Sequence, residues 1–551
     1  MEPAGAAVPS EDEPSRSYET QSLSDSRSGR RNPEVRAHHS IHDRLQMESN
    51  FTFDLRPRSS DESKREFLVD MYLYLPNALG VNSSSFDNSS FFRHRTNYYR
   101  VRAPLYHSLR SIEPQDFTLE SADKYFAGHL CSLERERLGD KVVQDTKLFG
   151  NFLHTEFKKT LRLLSGKKRP IKEKNKAAIS RQLQQRTNLL WQFRERYVAP
   201  VRKELYLLDE EVTRVFKLTD EYLSYRLELV LLKAQEALGS ESGVFRDFLA
   251  REMKYRKRNG ILVLGEKEEN PVPFEAYTYR LSLLKKYMGE ALFLNTKSIK
   301  KDALYKNYAA AVGAGLAATV AGLAEHQRAQ YYTGQDSSLR IALLIGMAVL
   351  AYMFKDRVKD LSKEYFNTRL KQKLPDNFVA LSHTSYTAKG RSKIRDLGTV
   401  SEYLRFLTEV PADVAYLRTL NQKPTNDPER RESILHVGRK FTFELRSKKH
   451  RKLFPLLKNV HRIDISPFLS KLDNPSTPIS FVDELGEART VQAPKVYHIN
   501  AVLRYETRFG AGSQTRYVDY ERVRLIINKN GIVRLERVLE RGRLGYEEEV
   551  E

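Results

Sequence analysis

Asn307 to Gln327 reads NYAAAVGAGLAATVAGLAEHQ, and two incompatible folds hang on it. Gly313-Ala-Gly315-Leu-Ala-Ala318 matches the G-x-G-x-x-A turn that cradles a dinucleotide pyrophosphate. The same letters spell a small-residue helix suited to a bilayer. A dinucleotide turn needs a strand before it, a helix after it and an acidic residue about 20 positions on. The preceding KKDALYKNYAAAV is Ala-rich and helix-favouring, unlike a β-branched buried strand. Asp336 lies at about the right distance, but in a polar loop. The helical reading takes precedence.

Asn307 to Ala324 carries no charge over 18 residues, about 27 Å of helix against a ~30 Å hydrocarbon core. Gly313, Gly315, Ala318, Thr319 and Gly322 supply a small-residue face that lets a second helix approach closely. A second apolar run, IALLIGMAVLAYMF from Ile341 to Phe354, is 14 residues long, with Arg340 left to snorkel. Together the runs predict a two-helix transmembrane hairpin over 307–354. Lys297, Lys300, Lys301 and Lys306 precede it, and Lys355, Arg357, Lys359, Lys363, Arg369, Lys371 and Lys373 follow it. The intervening EHQRAQYYTGQDSSLR holds only Arg328 and Arg340. The positive-inside rule then predicts a multi-pass membrane protein with two spans and both termini cytoplasmic.

The chain has 551 residues, enough for about three or four domains. It carries 93 Lys+Arg against 71 Asp+Glu, a net charge of +22. That excess favours an anionic partner, either nucleic acid or anionic lipid headgroups. Cys131 is the single cysteine, so an intrachain disulfide and a Cys-based zinc site are both excluded. The opening MEPAGAAVPSEDEPSRS is acidic and polar and does not read as a secretory signal.

Outward from the hairpin, the pattern predicts an α+β multidomain protein. Residues 1–48 are poor in large apolar side chains and read as a disordered polar tail; His38, His39 and His42 lie within it as solvated side chains. Alternation in REFLVDMYLYLP predicts a small β-rich unit over 49–118. A helical region follows over 119–306. Within it Val201, Leu205, Leu208, Val212, Val215, Thr219 and Tyr222 alternate at spacings of four and three, a coiled-coil-like seam. That seam either packs against the stripe of Ile179, Leu183, Leu190, Phe193 and Tyr197 or joins a second copy. A basic juxtamembrane helix occupies 355–374, and a mixed α+β domain ending in a β-meander occupies 375–551. Asn530-Gly531 signals a hairpin turn in which Val523, Leu525 and Ile527 face a core while Arg522 and Arg524 face solvent. Phe51-Thr-Phe-Asp-Leu-Arg56 echoes Phe441-Thr-Phe-Glu-Leu-Arg446, which suggests that the two β regions join one sheet.

No H-E-x-x-H, G-x-S-x-G, C-x-x-C or G-x-x-x-x-G-K-[ST] motif occurs, so the residues point to no catalytic centre, no metal site and no cofactor. Lys167, Lys168, Arg169, Lys172 and Lys174 form a basic stretch suited to lipid phosphate or nucleic acid. Sequons at Asn50, Asn82 and Asn88 stay unmodified under the cytosolic topology. The function expected is a membrane-anchored, cytosol-facing scaffold or signalling protein that binds another protein or itself. The alternatives are a nucleic-acid-binding protein using the basic helices and a nucleotide-dependent enzyme built on Gly313 and Gly315.

Overall fold

The structure is a computed structural model. It describes residues 35–56, 64–101, 118–128, 131–165, 173–204, 209–238, 242–264, 272–299, 374–420, 432–444, 455–509 and 516–542, apart from positions 87 and 388, with scattered positions between 307 and 364. Alternating apolar residues build its strands in chain order. They are β1 Val35–Ile41, β2 Gln46–Asp54, β3 Lys64–Pro76, β4 Arg95–Val101, β5 Asn295–Ser298, β6 Asn377–Tyr386 and β7 Ser392–Leu407. After them come β8 Glu432–Glu444, β9 Leu456–Asp464, β10 Ser476–Val482, β11 Ala488–Pro494, β12 Tyr497–Phe509, β13 Arg516–Asn528 and β14 Gly531–Gly542.

Two antiparallel sheets face each other. One is four-stranded, ordered β1-β2-β9-β4, and the other is eight-stranded, ordered β14-β13-β12-β3-β8-β7-β6-β5. Both sheets interleave strands from the two ends of the chain: β2 pairs with β9, and β3 sits between β8 and β12. The echoed FTF segments lie in opposite sheets. Phe53 of β2 packs on Phe441 of β8 at 4.4 Å and on Phe67 at 5.0 Å. These rings centre the core between the sheets, and each such ring removes a large apolar area from water.

β1 falls inside the stretch read from sequence as a tail. Its register runs Val35↔Phe53 to Ile41↔Met47, with Val35 and His39 turned inward. His39 hides the alternation because it is polar. In the fold its Nδ1 lies 2.8 Å from the Ser49 hydroxyl and its Nε2 3.2 Å from the Tyr505 hydroxyl, so the buried imidazole is satisfied.

Between β4 and β5 the chain makes a helical body that includes α1 Glu120–Phe126, α2 Ser132–Leu164, α3 Glu173–Phe193, α4 Glu210–Leu238, α5 Ser242–Asn259 and α6 Val272–Gly289. Arg194, in the π-helical turn after α3, is fully buried and donates to Asp220 at 2.7 Å and to Glu252 at 2.6 and 2.8 Å. The body meets the sandwich where the Gln144 amide donates to the Thr384 carbonyl at 2.9 Å. β5 and β6 are neighbours, and Ile299 N–H donates to Phe378 O at 2.8 Å. The segment after Ile299 therefore leaves and returns side by side at the sheet edge.

The membrane architecture is corrected here. Among the described residues no helix is long and apolar enough to cross a membrane, so the two-helix transmembrane hairpin and the multi-pass, both-termini-cytoplasmic placement are not supported. The fold is α+β with large sheets. The sequence criterion was absence of charge, whereas a span requires length together with apolar bulk. Ala and Gly contribute little transfer energy, and a 14-residue run reaches only about 21 Å. Gly315, Ala318, Thr319 and Gly322 are helical and exposed, and Gly313 lies outside the described residues.

β13 and β14 form the hairpin signalled by Asn530-Gly531, with Asn528 opposite Gly531. Gly531 has φ of 122°, and a Cβ there would sit 2.2 Å from the Arg44 carbonyl oxygen. Ile532 N–H donates to that same oxygen at 2.6 Å, tying the turn to the β1–β2 loop. Gly531→Ala should therefore lose about 1–3 kcal/mol from strain and the displaced contact. Urea unfolding measures this; a neutral substitution would contradict the tight approach.

Candidate functional site

β10 and β11 project from the sandwich as a two-stranded arm. The arm is rooted on β12, an interior strand of the large sheet. Its register pairs Ser476 with Pro494 through Val482 with Ala488. Two-stranded hairpins are marginal in isolation, and local bonds hold this one. The Asp483 carboxylate accepts from Leu485 N–H at 2.9 Å and Glu487 N–H at 3.0 Å, and pairs with Arg489 at 2.6 Å. Ser480 and Thr490 hydroxyls meet at 2.9 Å, and Gly486 takes φ of 82° at the tip. At the root, Lys495 pairs with Asp473, which lowers the Asp473 pKa through that hydrogen bond and raises that of Lys495.

The arm is exposed along its length. Ile479, Phe481 and Val491 share one face, and Phe481 retains 48% of its surface in water. Leu485 at the tip is 81% exposed. Among the described residues no strand flanks the arm, so its outer edges present open main-chain groups. Natural sheets normally cover or blunt such edges, and apolar side chains beside an open edge mark a surface for another polypeptide.

Ionisable clusters elsewhere serve the fold. On the outer face of the large sheet, His436 Nε2 lies 3.0 Å from Asp70, with the ring stacked on Tyr72 at 4.7 Å. Arg504 reaches Glu506 at 3.2 Å, Asp413 at 3.4 Å and Asp70 at 3.7 Å. Burial alone would lower the Arg504 pKa, but its bond to Tyr520 and the charges of Glu506 and Asp413 hold it above the ordinary value. Gly438 leaves room for this cluster, since a Cβ there would meet His436 at 2.9 Å. Ser49, His39 and Glu521 resemble a nucleophilic triad in residue type, with His39 3.6 Å from Glu521. All three are buried between the sheets, so the serine hydroxyl has no path to a substrate. Among the described residues no group of three or more His, Cys, Asp or Glu is placed to hold a metal ion.

Of the seam residues, Val201, Val212, Val215 and Tyr222 lie buried in the core of the helical body beside Leu183, Leu190 and Phe193; Leu205 and Leu208 lie outside the described residues. Lys174 falls in the first turn of α3, and Lys167, Lys168, Arg169 and Lys172 lie outside the described residues. Ala314 and Gly315 are helical, not the turn that a dinucleotide site requires. Arg522, expected in solvent, is buried: its guanidinium donates to Leu417 O at 3.0 Å and Leu420 O at 2.7 Å. It thereby caps α7, Ala412–Thr419, which covers the outer face of the sheet. The arm itself was missed. Its signal was present as two short runs of strand-forming residues flanking a Gly-containing tip, but Pro478 interrupts the first.

No protein-family model, no curated protein and no solved structure matches this chain.

Three histidines give the fold a measurable acid response. Burial, then Arg439 and Arg95, holds His461 well below its ordinary pKa. Burial, then Arg226, brings His154 down to about 3, and burial also lowers His383. Unfolded imidazoles titrate near ~6.5, so below that pH the unfolded chain binds more protons and stability falls. Each group contributes up to ~1.4 kcal/mol per pH unit. Between about pH 6.5 and 5, ahead of most carboxylates, the urea midpoint should fall steadily; a flat profile would contradict buried neutral imidazoles.

Proposed function

We propose that this protein is a scaffold that acts by binding another polypeptide, with the β10–β11 arm as its docking element. The observation that carries this reading is the arm: an apolar strand face beside an open edge, held clear of both cores. The support is physical. Main-chain groups on an open edge give affinity to an added strand, and alternating side chains give selectivity. The strand ladder of the arm matters as well, because a preordered strand loses less conformational entropy on binding than a loop does.

The seam and the ionisable clusters support the same reading indirectly. The described seam residues are already covered by the chain's own helices, and the polar clusters described above are engaged in ties between elements. The exposed apolar residues of the arm have no comparable cover within the fold.

A photocrosslinking amino acid placed at Val491 tests the reading in the full chain. The expected result is a light-dependent protein adduct at Val491 and none from the same probe at Tyr416, which is exposed on α7. No adduct at Val491, or equal adducts at both sites, would contradict the arm as docking element.

A further inference from the structure

We infer that the polypeptide received by the arm is a second copy of this chain, joined edge to edge through β11 in a twofold antiparallel pair. This rests on the docking role given to the arm above. The hydrogen-bond pattern of the hairpin selects the edge. Asp483 N–H donates to Glu487 O at 2.9 Å, and Lys495 N–H donates to Pro475 O at 2.9 Å. The arm register therefore places odd-numbered residues in hydrogen-bonded pairs, and even-numbered residues turn their main-chain groups outward. On β10 the outward set includes Pro478, which has no N–H, so that edge is interrupted. On β11 the outward set is Ala488, Thr490, Gln492 and Pro494, so its N–H groups run unbroken from Ala488 through Gln492 and stop only at the strand end.

That edge is complementary to itself. Centring an antiparallel pair on Val491 sets Thr490 opposite Gln492 of the second copy, with both N–H···O bonds exchanged. Val491 then meets Val491 of the second copy in a non-hydrogen-bonded pair, where side chains approach most closely. The apolar faces of both arms merge into one band carrying Ile479, Phe481 and Val491 from each copy. Arg489 lies opposite Ala493 of the second copy, so like charges are not opposed.

The charges fit the same register. Asp483 is neutralised by Arg489, while Glu484 and Glu487 have no cation partner among the described residues. The root carries Lys495, which pairs with Asp473 of its own chain, and Lys529, within electrostatic range of the same carboxylate, so two cations there face one anion. An antiparallel pair brings each acidic tip to the basic root of the other arm, and the register centred on Val491 places Glu487 opposite Lys495 of the second copy. An arm with an acidic tip on a chain of net charge +22 favours this arrangement over an acidic partner. The joined arms form a closed twofold assembly with a self-complementary interface.

Sedimentation equilibrium on the full chain tests the inference. The wild type should approach twice 63.9 kDa as concentration rises. Thr490→Pro gives up the Ser480–Thr490 hydroxyl contact but removes only an N–H that points away from β10, so the arm keeps its main-chain ladder while the dimer dissociates to a single 63.9 kDa species. Glu487→Lys should weaken dimerisation about tenfold through two symmetric contacts. A wild type that stays at 63.9 kDa throughout, a Thr490→Pro dimer, or a Glu487→Lys dimer of unchanged affinity would overturn self-pairing. A Val491 crosslink to a different protein would also overturn self-pairing, yet leave the docking role intact; no crosslink at all would remove both.

Discussion

The Glu402 carboxylate, buried between the two sheets, is the contact on which the sandwich depends. It accepts from Arg95 at 2.8 and 2.5 Å, from Arg439 at 3.1 Å and from Asn377 at 2.6 Å. Arg95 belongs to β4 of the small sheet; Glu402 and Arg439 belong to β7 and β8 of the large one. Arg439 also donates to Asn459 of β9 at 2.8 Å and to the Tyr99 hydroxyl of β4 at 3.3 Å. Apolar rings alone tolerate sliding, since dispersion is non-directional. A buried charge does not, because a one-residue slip leaves it unpaired in a low-dielectric interior. The Glu402 pKa reflects the balance: burial pushes it up, and Arg439 and Arg95 more than offset that, holding the carboxylate ionised. The same two arginines help keep His461 neutral beneath them.

The helical body uses the same device. Arg194 sits between Asp220 of α4 and Glu252 of α5, with its guanidinium over Tyr255 at 3.9 Å and Trp191 at 4.6 Å. Burial opposes its charge, but the two carboxylates hold its pKa above the ordinary value. Arg256 extends the network to Glu228 at 2.7 Å and the Ser224 hydroxyl at 2.6 Å. The directional bonds fix the rotation of helices whose apolar faces already pack into one core. Against these two rigid bodies the arm is the exception, secured only along its own length and at its root.

Strand alternation was legible where one face is wholly apolar. Val523, Leu525 and Ile527 turn into the core as their spacing indicates, and the FTF echo marks two strands that meet across it. The reading failed where tertiary partners change a residue's environment. His39 looks like a tail residue until Ser49 and Tyr505 supply its bonds. Arg522 looks solvated until α7 lays its carbonyls over the guanidinium. The apolar runs at 307–324 and 341–354 carry no charge, a local property, whereas crossing a bilayer demands continuous length and bulk, which no helix among the described residues has. The arm escaped notice because exposure of a strand is a property of what fails to pack on it, which no local pattern encodes.

Exchange of backbone amides in a Glu402→Leu variant tests the clamp most directly. The substitution leaves Arg95 and Arg439 as uncompensated buried charges, which costs about 3–5 kcal/mol. Protection should fall together in β2 and β9 of one sheet and in β7 and β8 of the other, by a factor matching that loss. Protection that falls in one sheet only, or changes by less than about tenfold (~1.4 kcal/mol), would show that the sheets are held in register by their rings alone.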